Sequence, residues 1–78
     1  MRLRALVDEC AERLHAAGVA FGHGTTNAFD EAVWLVLWRL GLPLDDLDGV
    51  AERALDLHDI ARVRALVDER IATRRPAA

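Results

Sequence analysis

The side chains that could do chemistry are few. There are three histidines, His15, His23 and His58, a single cysteine, Cys10, and no serine at all. A nucleophile–histidine–acid set would have to draw its nucleophile from Cys10, Thr25 or Thr26. Cys10 falls on an apolar stripe, Leu3, Leu6, Val7, Cys10, Leu14 and Ala17, where an inert core thiol is expected. Zinc would need a clustered donor set. Cys10 and His15 are five residues apart, off a shared helical face, and neither a CxxC nor an HxxxH pair occurs. "GHG" at positions 22–24 is too short for a dinucleotide fingerprint and follows a helical pattern rather than a strand. No catalytic, cofactor-binding or metal-ligating residue is therefore expected in this chain.

His23 stands apart because glycines flank it on both sides. Gly22 and Gly24 allow positive-φ turns and let a partner approach the backbone closely. One reading makes His23 or Thr25 a hydrogen-bonding group for the start of the following helix. The other makes the loop from Phe21 to Asn27 a contact surface, with Phe21, His23, Thr25 and Asn27 as its candidate contact residues.

Elements on either side must position that loop. Apolar residues from Arg2 to Ala17 recur at helical spacing, and Gly18 follows as a C-terminal glycine should. Thr25, Thr26 or Asn27 then offers a capping oxygen to a second helix. With Asn27 as the cap, Asp30 occupies the third helical position, from which its carboxylate reaches back to the cap amide. Asp30 and Glu31 also set negative charge against the positive end of the helix dipole. From Ala32 to Leu40 almost every residue is apolar, Trp34 and Trp38 included, which predicts a central helix covered on several sides. Trp34 and Trp38, one turn apart, are read as core and interdomain packing rather than a ligand cage. Gly41-Leu42-Pro43 ends the helix. The acidic connector "PLDDLDGVAERALD" predicts a short helix over Leu47 to Leu55. Asp56 caps the last helix, with Asp59 in the capping-box position and Ile60, Val63, Leu66 (or Val67) and Ile71 on one stripe, up to a break at Arg74-Arg75-Pro76. The expected fold is all-α: a single domain over residues 1–78, built as a small bundle of three long helices and one short one.

Composition narrows the function classes. All ten basic residues are arginine, thirteen are acidic, and the net charge is −3. That balance argues against direct nucleic-acid binding, which asks for a basic face. Charge is nonetheless uneven: Asp45, Asp46, Asp48, Glu52, Asp56 and Asp59 crowd the middle, while Arg62, Arg64, Arg70, Arg74 and Arg75 crowd the end. Solvated helix faces and a basic helix C-terminus account for the pattern. The longest apolar run, Ala32 to Trp38, is too short to span a bilayer, and with one cysteine no intramolecular disulfide forms. A cytoplasmic protein without membrane partners is the expectation.

One stretch carries a resemblance. Phe21-Gly22-His23-Gly24-Thr25, followed by Asn27-Ala28, Asp30-Glu31-Ala32 and Leu42-Pro43-Leu44-Asp45, resembles the N-terminal helical domain of the HemK/PrmB family. These are S-adenosylmethionine-dependent protein-glutamine N5-methyltransferases. The match is nearest the PrmB type, which acts on a large-subunit ribosomal protein. Thr26 and Phe29 depart from the family pattern, which has an acidic residue and a tryptophan there. The close, "ERIATRRPAA", is similar to the passage from the helical domain into the catalytic one. The resemblance implies a two-domain enzyme whose S-adenosylmethionine-binding domain, with its Asn-Pro-Pro-Tyr motif, is absent from this chain. It implies a substrate-recognition role for the helical domain, with the ribosomal protein and the missing catalytic domain as partners. A stand-alone helical interaction or dimerisation module, self-associating through its apolar second helix, is the alternative.

Overall fold

The computed structural model describes residues 1–18 and 27–73. Four helices occur among them: α1 over Leu3–Ala17, α2 over Ala28–Arg39, the single turn α3 over Leu47–Val50, and α4 over Leu57–Thr73. The described residues form no sheet, only an isolated bridge between Arg2 and Ala54. No helix among them is long and apolar enough to cross a membrane.

Each long helix contributes one stripe to a shared core. From α1 come Leu3, Leu6, Val7, Cys10 and Leu14, from α2 Ala32, Leu35, Val36 and Leu37, and from α4 Ile60, Val63 and Val67. Of the two residues that spacing left open, Val67 is the buried one and Leu66 packs at the core's edge. Ile71 is likewise only partly buried. Gly18 closes α1 in the left-handed conformation at φ 66°, its N–H bonded to the His15 carbonyl at 3.1 Å. Gly41, at φ 69°, closes α2 in a Schellman motif. Its N–H reaches the Trp38 carbonyl at 3.2 Å while Leu42 N–H reaches that of Leu37 at 2.9 Å.

The short helix corrects the sequence reading. It spans Leu47–Val50, not Leu47 to Leu55. The cause lies at the far end of the chain. Arg2 gives α1 no side-chain cap, so its first amides need other acceptors. Leu3 N–H bonds the Arg53 carbonyl and Arg4 N–H the Ala51 carbonyl, both at 2.9 Å, while Leu55 N–H returns to the Met1 carbonyl at 2.9 Å. A helix continued to Leu55 would have spent the Ala51 carbonyl on the Leu55 N–H. The 51–55 segment, which turns at Ala51 and bridges to Arg2 at Ala54, instead caps α1 from some fifty residues away and tucks Leu55 into the core.

Side-chain pairs set the direction of α4. Glu9 pairs with Arg64 and Arg13 with Asp68, so α1 and α4 run parallel. Arg2 and Arg4 both pair with Glu52, fixing the 51–55 segment across the start of α1. The end of α4 therefore arrives at the end of the bundle where α1 stops and α2 begins.

Candidate functional site

Phe21, His23 and Thr25 lie outside the described residues, as does the Arg74-Arg75-Pro76 break. Asn27 is placed. Its backbone is extended, and its side-chain oxygen accepts the Asp30 N–H at 2.9 Å. The Asp30 carboxylate in turn accepts from the Asn27 side-chain amide at 3.3 Å rather than from the cap's backbone N–H. Asp56 does the same work for α4, its Oδ1 accepting the Asp59 N–H at 2.8 Å. Asn27, Ala28 and Phe29 share a shallow recess with Ala11, Glu12, His15 and Ala16 of α1. Phe29 is half exposed there.

Two charged residues of the same end are buried. Glu31 is 0% exposed and Arg70 7%. The Arg70 Nε–H donates to Glu31 Oε1 at 3.0 Å, joining the first turn of α2 to the last turn of α4. Arg70 is thus no member of a solvated basic C-terminus, which corrects the sequence reading. An unpaired carboxylate or guanidinium could not be held in this interior, so each accounts for the other's burial. The signal was present on two apolar stripes. Glu31 precedes Leu35 by one turn, and Arg70 extends the series Ile60, Val63, Val67 at spacings of three and four. Each stripe carries one charge, and the signs are opposite.

Next to this pair, α2 is covered on several sides, as its composition predicts, but one face stays open. Trp34 is partly buried against the core, but Trp38 is 53% exposed. Their rings stack with centroids 5.6 Å apart and planes 7° from parallel. Trp34, Leu35, Trp38, Leu66, Glu69, Arg70 and Thr73 line an open groove of about 220 Å³ between α2 and the end of α4. A half-exposed tryptophan is a covering surface, not a core residue.

Reactive groups are not brought together among the described residues. Burial pushes the Cys10 thiol up to about 11, with the Glu9 charge adding to the effect, so it stays a protonated thiol at neutral pH. By the parallel register of α1 and α4, His58 lies level with the start of α1 and His15 near its end, about 18 Å apart at 1.5 Å per residue. They cannot share a metal ion. No group of three histidine, cysteine or acidic residues suited to a metal occurs among the described residues. What the described arrangement can do is present surfaces: a recess beside Asn27 and Phe29, and an aromatic groove beside Thr73.

The chain is similar in sequence to known proteins. Along 76 residues, 97% of its length, the chain is 47% identical to the ribosomal protein uL3 glutamine methyltransferase of Bordetella pertussis. It is similar to the N-terminal region of these enzymes. The uL3 glutamine methyltransferases of Burkholderia pseudomallei and Neisseria gonorrhoeae match over the same share of the chain, at 46% and 40% identity. The chain spans about a quarter of the length of these relatives, 26%, 25% and 25% respectively. No family model matches the chain. No solved structure matches it either.

Proposed function

We propose that this chain is the substrate-recognition domain at the N-terminus of a protein-glutamine N5-methyltransferase that modifies a large-subunit ribosomal protein. The observation that carries the reading is the extent of the similarity to the uL3 methyltransferases, 97% of the chain at up to 47% identity. On this reading the cofactor and the methyl-transfer step belong to the remaining three quarters of the enzyme, and the work of this domain is to hold the protein substrate.

The reading is tested in the full-length enzyme by removing residues 1–78. Methylation of the intact ribosomal protein should fall at least about ten-fold in kcat/KM, or 1.36 kcal/mol of transition-state stabilisation, while S-adenosylmethionine affinity stays. Undiminished methylation by the truncated enzyme would overturn it. His23→Ala separates two roles for the loop: a raised KM for the protein with cofactor affinity intact marks a substrate contact. Loss of cofactor affinity marks contact with the catalytic domain.

A further inference from the structure

We infer that the groove between α2 and the end of α4, floored by the stacked Trp34–Trp38 pair and Leu66, is the seat on which the polypeptide that follows residue 78 folds back. The inference rests on the reading of the chain as part of a longer methyltransferase. Three observations select this occupant. Thr73, the last residue of α4, itself lines the groove, so any polypeptide continuing from α4 starts at its rim. The relatives are about four times the length of this chain, which covers 26% of one of them, so on the reading above the rest of the enzyme leaves from that point. The patch is also small. A tryptophan carries roughly 150–250 Å² of contact surface, so about half of Trp38 offers about 100 Å². A stable pair of separate molecules needs about 800 Å² from each partner. A groove centred on one half-exposed tryptophan therefore suits a tethered segment, which binds at the high effective concentration that its attachment supplies, better than a second copy.

Chemistry at the groove describes the covering surface. Its centre is indole and leucine, while Glu69 stands exposed at the rim, so the returning segment brings an apolar side chain to Trp38 and a cation toward Glu69. Arg70 is already engaged with Glu31 and keeps the floor neutral.

The test is hydroxyl-radical footprinting of the full-length protein, read by mass spectrometry of the Met1 and Trp38 peptides. Methionine and tryptophan both oxidise rapidly, and in this domain the two side chains are almost equally exposed, 49% and 53%. With the groove occupied, Trp38 drops to the exposure of a residue such as Leu55, at 7%, and its oxidation slows about eight-fold relative to Met1. Leu66→Glu, in the groove's floor, should restore fast oxidation of Trp38 in the full-length protein while its far-ultraviolet circular dichroism is unchanged. Equal oxidation of Met1 and Trp38 in an enzyme that methylates its ribosomal substrate overturns the seat and leaves the function standing. Protection of Trp38 that grows with protein concentration overturns it in favour of a second copy. Protection at all concentrations in a protein that transfers no methyl group supports the seat and fails the functional reading instead.

Discussion

Replacing Arg70 with methionine should cost more than any other single change in polar side chains of this domain. The substitution conserves much of the aliphatic stem but leaves the Glu31 carboxylate, 0% exposed, without the guanidinium 3.0 Å away. Removing one partner of a buried ion pair costs about 3–5 kcal/mol, because the surviving charge loses its opposite charge in a low dielectric. At about 0.05–0.15 kcal/mol per residue, a chain of this length has about 4–12 kcal/mol in total. The variant should thus lose a large part of its stability, and at about 4–8 °C per kcal/mol its Tm should fall by about 12–40 °C. Glu31→Met alone should be comparably damaging. The double variant Glu31→Met/Arg70→Met removes both charges and fills the space with apolar atoms, so it should return to within about 1–2 kcal/mol of the parent, or exceed it. The assay is urea denaturation of the four proteins followed by circular dichroism, with the m-value checked for constancy. A loss of less than about 1 kcal/mol for Arg70→Met would refute the argument, as would a double variant whose loss equals the sum of the two singles.

Other expectations concern the elements that frame the site. Glu9 is held below its ordinary value of 4.5, chiefly by the hydrogen bonds that it accepts from Arg64. A depressed folded-state pKa stabilises above the unfolded value and is lost as pH falls through the folded one. Acid titration below pH about 4.5 should therefore destabilise the parent more than Glu9→Gln, and equal slopes in the two proteins would contradict the pairing. Cys10, with its thiol raised to about 11 and its side chain buried, should react with iodoacetamide at pH 8 only as fast as the chain unfolds. Rapid labelling under native conditions would show the thiol to be accessible. Gly18→Ala puts a side chain at φ 66° and should cost about 1–2 kcal/mol in urea denaturation, although its Cβ would meet no atom. Asn27→Ala removes the oxygen that caps α2 and should cost about 0.5–2 kcal/mol by the same measurement.

Local rules wrote most of the secondary structure directly into the residue order. The stripe from Leu3 to Leu14, Gly18 in its left-handed turn, Asn27 before Asp30, Asp56 before Asp59, and the Gly41-Leu42 closure of α2 each involve residues within a turn or two of one another. Helical periodicity and capping act over that range, so the all-α class, with three long helices and a short one, was legible from order alone. The departures all depend on residues distant in the chain. Val50 ends α3 early because the carbonyls of Ala51 and Arg53 serve amides at Leu3 and Arg4, a demand that no window around residue 50 reveals. Glu31 looked like a dipole partner and Arg70 like a solvated helix end until packing of α2 on α4 brought them together and shut out water. Trp34 and Trp38 read together as core and interdomain packing, but composition could not say that Trp34 would lie against the core while Trp38 stays half exposed. Periodicity selects the face that an element buries, but tertiary packing alone decides how far that burial extends, because only the assembled neighbours remove water from a side chain.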